Sequence, residues 1–456
     1  MEGRSTKTSP SSLSQILTEV LERVRPTAVD SQRLKEVSGS ILTRISHLAS
    51  ERGLALQAML AGSAARGTWL AGDHDLDIFL ALPEGSDLGP ALEVARLVSP
   101  HYEERYAEHA YVHARIENFD VDLVPCYLLQ DATSLRSAVD RTPFHTRYVA
   151  SKIDGLQEEV LLLKQFMKGT GVYGSELRTG GFSGYLAELL IIRYRSFLST
   201  LRSASSWRPG EIIDLEGHSA RPHQDPLVVV DPVDPRRNVA AALTLEKMLQ
   251  FSVASRCFLR DPELEYFFPP EDRPISDEML QRQIRDRGSC LILVDLPAPA
   301  VVEDVLFPQL RKAEEAARIL LEKNGFRLLR SDVGSSDGRA YLLFEFEVWE
   351  LPIVQIRLGP PVWEDEHLTR FLDAHPETLS GPYIAKGRAA VEVPRKYTSA
   401  RDLLDGELPN LSLGRHLSAS VRQGYTIYVG PELAEKRDAE FRTFLAGYLR
   451  ARLRIC

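Results

Sequence analysis

The chain has 456 residues, a mass of 51.1 kDa, 44% hydrophobic and 26% charged residues, and a formal net charge of -9 from 55 Lys and Arg against 64 Asp and Glu. These proportions exclude a disordered or fibrous chain, and a length about three times the ~150-residue domain norm predicts three or four domains. No apolar run approaches the ~18 residues of a membrane helix and the start, MEGRSTKTSPSSLSQ, has no apolar signal core, so a cytoplasmic protein without membrane contact is expected.

The first ten residues are polar and expected to be loose; Leu13, Ile16, Leu17, Val20, Leu21 and Val24 then recur at helical spacing and predict an amphipathic helix ending near Pro26. A second helix is expected over 31–50, followed by strands at 76–82, 111–117 and 119–125, which makes the first 150 residues an α/β domain. From 155 to 198 the pattern is helical, LQEEVLLLKQFMK and then FSGYLAELLIIRYRSFL, with a Gly-rich break between them and Ser183 placed as an N-cap. LVVVDPVDPRRNVAAAL predicts a strand and turn leading into a helix. Beyond 275, SCLILVDLP, FRLLRSDV and RAYLLFEFEVWEL read as strands and EDVLFPQLRKAEEAARILLEKNG as a helix closed by Gly325, which suits a small sheet covered by helices. Phe346 and Trp349 in the last of these strands are expected in the core. The four cysteines, Cys126, Cys257, Cys290 and Cys456, are scattered and expected to be reduced. Basic residues gather most densely at Arg442, Arg450, Arg452 and Arg454.

The stretch GSAARGTWLAGDHDLDIFLALP carries the chemistry. Asp73, Asp75 and Asp77 crowd against an apolar run, an arrangement that a cation would neutralise. In a strand, Asp75, Asp77 and Phe79 share one face and Leu76, Ile78 and Leu80 the other. A third carboxylate is expected from FDVDLVPCY, where spacing leaves Asp120 and Asp122 as equal candidates. Upstream, Gly62-Ser63 opens a short predicted helix whose N–H groups, with the Ser63 hydroxyl and Arg66 one turn on, suit a triphosphate. Such a set serves nucleotidyl transfer with Mg²⁺, one ion at the attacking hydroxyl and one at the triphosphate. His109 and His113 imitate a metal pair, but on a strand they stand ~13 Å apart, too far for one ion.

GSAARGTWLAGDHDLDIF, VDLVPCY, RTPFHTRYV, LLLKQFMKGTGVYGSE, GGFSGYLAELL and DPVDPRRNVAAAL, in this order, resemble the archaeal class I CCA-adding enzymes, tRNA nucleotidyltransferases of the polymerase-beta superfamily. The resemblance implies a multidomain α/β protein: a polymerase-beta-type catalytic head over 1–150, a helical nucleotide-binding neck over 151–275, and an α+β body and tail over 276–456 that hold the tRNA acceptor stem and elbow. It implies addition of C, C and A to the tRNA 3′ end from CTP and ATP without a nucleic-acid template, and a homodimer. By the same resemblance the metal carboxylates fall on Asp75, Asp77 and Asp122. The first is often Glu in the family, one methylene longer than Asp75. The nucleotide contacts fall on Ser63, Arg66, His145, Lys164 and Tyr173, and the base-reading arginine on Arg237, with Arg236 as the alternative. Asp231 and Asp234 are expected to order the loop around it. RNA would be recognised by shape and backbone through local basic surfaces. A poly(A) polymerase would share the carboxylates, but GVYGSE and DPVDPRRNVAA disfavour it; an inactive RNA-binding relative would lack one of them.

Overall fold

The computed structural model describes residues 12–450 apart from 107, 132–136 and 138. The chain divides into two compact units, one running to Pro270 and the other spanning Glu271–Ala451.

In the first unit, helices α1 (Leu13–Val24) and α2 (Ala28–Glu51) both begin with a capping box, from Ser12 with Gln15 and from Thr27 with Asp30, which explains why α2 starts three residues earlier than its apolar spacing suggests. Strand β1 (Gln57–Leu60), the five-residue α3 (Gly62–Arg66), β2 (Asp75–Pro83), α4 (Gly89–Val98), β3 (Glu103–Tyr106), β4 (Ala110–Ile116) and β5 (Phe119–Leu128) follow. They form a five-stranded sheet in the order β1-β2-β5-β4-β3, with β2 and β5 parallel and the other pairs antiparallel. Alternation along β2 sorts its side chains as the sequence requires: Leu76, Ile78, Leu80 and Leu82 enter a core with α2 and α4, while Phe79 and Ala81 join Ala61 and Cys126 on the opposite face.

The helical part comprises α5 (Thr142–Lys152), α6 (Gln157–Gly169), α7 (Gly184–Tyr194), α8 (Phe197–Ala204), the parallel pair β6 (Glu211–Asp214) and β7 (Leu227–Val230), and α9 (Leu245–Arg260). Ser183 caps α7 as expected, accepting from Leu186 N at 3.1 Å. Phe166, Phe197, Phe251, Phe258 and Phe267 build an aromatic core, and the buried side of α1 (Ile16, Val20, Val24) packs into this core rather than onto the sheet. Residues 239–243, where the sequence promised the start of a helix, form turns instead. Asn238 accounts for this: its Oδ1 accepts from Val229 N and Ala240 N, each at 2.9 Å, and its Nδ2 donates to Asp225 and to Leu227 O, so the helix waits for its Thr244 cap.

The second unit holds α10 (Asp277–Arg287), β8 (Cys290–Pro297), α11 (Glu303–Lys323), β9 (Arg327–Ser336), β10 (Arg339–Val348), β11 (Val354–Pro361), α12 (Asp365–Asp373), β12 (Ser380–Ala385), β13 (Arg388–Pro394), α13 (Ala400–Glu407), α14 (Arg415–Gln423), β14 (Thr426–Val429) and α15 (Ala439–Arg450). The strand-helix-strand-strand order becomes a four-stranded antiparallel sheet, β14-β8-β10-β9, in which β14 is an addition from far along the chain; β11-β13-β12 form a separate sheet. Phe346 is buried and Trp349 packs against the same core, as expected.

Two expectations are corrected. Cys126 and Cys290 are free and buried, but Cys257 is disulfide-bonded; Cys456 lies outside the described residues. Arg442 is no part of a basic surface: it is 4% exposed, donating to Asp277, Ala434 O and Lys436 O at 2.7 Å each. Arg450 pairs with Asp272 at 2.8 Å, and Arg452 and Arg454, like residues 1–11, lie outside the described residues.

Candidate active site

The parallel pairing of β2 with β5 sets Asp77 opposite Asp122 and Asp75 opposite Asp120, so the strand ends gather four carboxylates. Burial pushes the Asp77 carboxyl up to about 6, with the charges of Asp122 and Asp75 adding to it and Arg66 opposing. Asp75 is raised too, first by burial and then by Asp73, Asp120 and Asp122. Asp122 Oδ1 accepts from His113 Nδ1 at 2.7 Å, which answers what His113 does: it faces Asp122 and Asp120, not His109. Hard oxygens whose negative charges raise one another suit a divalent cation, which would relieve that repulsion. Among the described residues, no three His, Cys, Asp or Glu side chains converge tightly enough to hold an ion as they stand. The fit therefore rests on the strand register and the mutual electrostatics.

At the start of α3, Gly62 takes φ +65° and lies so close to Asp77 that a methyl group there would fall 2.0 Å from Asp77 Oδ2. Ser63, half-buried on α3, accepts from Thr68 N through its carbonyl at 3.1 Å. Arg66 does not stand free beside it. Its Nε donates to Glu188 Oε1 at 3.0 Å, its second terminal nitrogen lies 2.9 Å from Glu188 Oε2, and its first donates to Thr146 Oγ1 at 3.3 Å. The Thr68 hydroxyl also donates to Glu188, and Lys164 Nζ donates to Thr68 O at 2.8 Å. Lys164 is 2% exposed, and burial holds its ammonium down to about 8 against the opposing pull of Glu188. Tyr173 is buried enough that its phenol is raised, and its hydroxyl approaches Lys164 at the first residue of α7: a methyl on Gly184 would stand 3.0 Å from Tyr173 OH and 3.6 Å from Lys164 Nζ. Lys168 pairs with Asp73 at 2.9 Å and lies over the Tyr173 ring.

The third cluster centres on Asp231, at the end of β7. It accepts from His145 Nε2 at 2.9 Å, Arg237 Nη1 at 2.7 Å and Val233 N at 2.9 Å, and His145 stacks on Tyr185 with ring centroids 4.2 Å apart. Burial lowers the His145 imidazole against the opposing hydrogen bond and charge of Asp231, and Arg237 adds a guanidinium to the cluster. Asp234 accepts from Arg141 at 3.2 Å and from Arg236 N, so both loop aspartates order their surroundings. Arg237 lines a cavity of about 770 Å³ with Arg141, Arg221, Arg236, His223 and Asn238. Arg236 reaches the same cavity but is 77% exposed, against 35% for Arg237, which Asp231 anchors. Sequence reading passed over Glu188 and His223. Glu188 was discoverable as the one acid inside the apolar run GYLAELLII; nothing in the sequence singles out His223, whose Nε2 is buried without a hydrogen-bond partner.

A sheet that pairs two Asp-bearing parallel strands, entered through a Gly-Ser turn, defines a polymerase-beta-type nucleotidyltransferase, and the nucleotidyltransferase domain family matches residues 42–145. The tRNA nucleotidyltransferase second-domain family matches residues 158–268 and the CCA-adding enzyme C-terminal domain family residues 287–430. CCA-adding enzymes of Methanosarcina mazei and Methanothermobacter thermautotrophicus are 43% and 42% identical, over 93% and 94% of this chain and 96% and 97% of theirs. That of Halobacterium salinarum is 39% identical over 95% of this chain and 98% of its own. The chain belongs to the archaeal CCA-adding enzymes, tRNA nucleotidyltransferases. Among solved structures, E. coli MS115-1 CdnC with ATP aligns with a TM-score of 0.43 and 17% identity over 55% of this chain and 94% of that one.

Proposed function

We propose that the chain adds C, C and A to the 3′ end of tRNA from CTP and ATP, without a nucleic-acid template, by two-metal-ion nucleotidyl transfer. The observation that carries this reading is the β2–β5 register, which sets Asp77 opposite Asp122 within a chain similar along 93% of its length to a CCA-adding enzyme. Asp75, Asp77 and Asp122 would hold the cations. Mg²⁺, when bound, neutralises the triphosphate and lowers the pKa of the attacking 3′ hydroxyl.

The chain's own residues bind and orient. Of the five N–H donors of Arg66, the two bonded to Glu188 and Thr146 fix its plane and leave terminal N–H groups for a phosphate oxygen. Lys164, Ser63 and Tyr173 complete the triphosphate contacts, and His145, paired with Asp231 and stacked on Tyr185, borders the sugar. Arg237, held by Asp231, presents fixed donors to the acceptors that cytosine and adenine share, which uracil does not match. The proposed domains are the head over 1–150, the neck over 151–275 and the body and tail over 276–456. The protein works in the cytoplasm as a homodimer and holds the acceptor stem and elbow of tRNA; no helix among the described residues is long and apolar enough to cross a membrane.

The test is extension of a tRNA transcript lacking its 3′ CCA, with Mg²⁺ and each nucleoside triphosphate singly and in pairs. Growth by two residues with CTP, by a third once ATP joins it, and by none in Asp122→Ala is the expected outcome. A ladder from ATP alone would make the protein a poly(A) polymerase, and tRNA binding without extension an inactive RNA-binding relative.

A further inference from the structure

Glu188 is a carboxylate with no exposed surface in the middle of α7, and the reading above uses it only as one of the groups that hold Arg66. Burying a charge this deeply is costly unless partners compensate it. Its partners are Arg66, through Nε at 3.0 Å and a terminal nitrogen at 2.9 Å, and the Thr68 hydroxyl. Thr68 in turn passes its carbonyl to Lys164 Nζ at 2.8 Å. One side chain on α7 thus grips both ends of the segment 66–68 between α3 and β2 and reaches the only lysine of α6 that is fully buried. Arg66 and Lys164 are the two cations that the reading above assigns to the triphosphate, and this one acid is linked to both, to the second through Thr68.

We propose that Glu188 is the positioning residue of the triphosphate site, fixing the plane of Arg66 and, through Thr68, the place of Lys164. This deepens the functional reading above and rests on it. The charged groups around Lys164 are Glu188 from α7, Arg66 from α3, Asp73 ahead of β2 and Lys168 from its own helix. Glu188 and Asp73 favour the ammonium; Arg66, Lys168 and burial oppose it. Neutralising Glu188 therefore lowers the pH at which Lys164 loses its proton.

Glu188→Gln keeps the shape and can still accept from Thr68 and Arg66, but removes the charge. Compared with wild type in tRNA extension, it is expected to raise KM for ATP and CTP about tenfold with a smaller change in kcat, and to shift the alkaline limb of kcat/KM to lower pH. Glu188→Asp, which keeps the charge on a shorter arm, is expected to restore the alkaline limb while KM stays raised. Arg66→Ala and Lys164→Ala are run beside them, with far-UV circular dichroism and thermal melting on every variant. If Arg66→Ala and Lys164→Ala leave KM unchanged, the triphosphate reading itself fails and this inference with it. If they raise KM while Glu188→Gln loses only melting temperature, with KM and the alkaline limb unmoved, Glu188 is structural and the inference alone is overturned. Should Glu188→Gln fail to fold, Glu188→Asp decides through KM: an unchanged value overturns the proposal.

Discussion

At Asp231, burial alone would raise the carboxyl, yet its pKa sits at about 2, because the hydrogen bond and charge of His145 and then hydrogen bonds from Val233 N and Arg237 outweigh desolvation. A carboxyl held below its unfolded value adds stability that is complete above pH ~4 and drains away as pH falls towards 2. The gap from the ordinary carboxylate value of 3.8 corresponds to about 2 kcal/mol. Asp231→Asn is therefore expected to lose about that much stability at pH 7 in urea unfolding, and the difference from wild type should shrink to near zero by pH ~2. A difference independent of pH would mean that packing, not charge, is what Asp231 provides. Because Asp231 also anchors Arg237, the same variant should discriminate less well between CTP and UTP.

Elements explain why parts of the site could be read in advance and others could not. The alternation of β2 and the Ser183 cap of α7 are local: period and cap chemistry lie within a few residues, and the structure reproduces both. The meeting of the carboxylates is not local, since β5 arrives in parallel after a crossover and only its register sets Asp122 opposite Asp77 and Asp120 opposite Asp75. For the same reason β14, which joins β8 across more than a hundred residues, and Glu188, which meets Arg66 at a separation of 122, left no signal in either partner's neighbourhood. The turn between β1 and α3 offers a test at this scale. Gly62 and Gly53 have nearly the same backbone, φ +65° and +64°, but a methyl at Gly62 collides with Asp77 whereas one at Gly53 meets nothing within 4 Å. Both alanine variants pay roughly 1–2 kcal/mol for a left-handed conformation. Gly62→Ala alone is expected to displace the Asp77 carboxylate and cut kcat for extension more than tenfold; equal losses in both would show that the collision is absorbed elsewhere.

On the scale of the whole molecule, a net charge of -9 must be reconciled with a polyanionic substrate. Net charge sets the mean field, but binding to a phosphate backbone is governed by the cations that reach phosphates and release counterions, so affinity should still fall as salt rises. Which cations those are is a matter of burial rather than of sequence density. Arg442 belongs to the densest basic run in the sequence, yet its guanidinium is engaged by protein groups, Asp277 and the carbonyls of Ile275, Ala434 and Lys436. Removing a buried, fully engaged charge strands its partners and costs about 3–5 kcal/mol. Removing a phosphate contact instead lowers the slope of log K against log salt by about 1. Arg442→Ala is thus expected to unfold at markedly lower urea concentration while leaving that slope for tRNA unchanged, measured by filter binding between 50 and 200 mM salt at a temperature where the variant remains folded. A slope reduced by about one unit, with stability intact, would return Arg442 to the RNA-facing surface that the sequence first suggested.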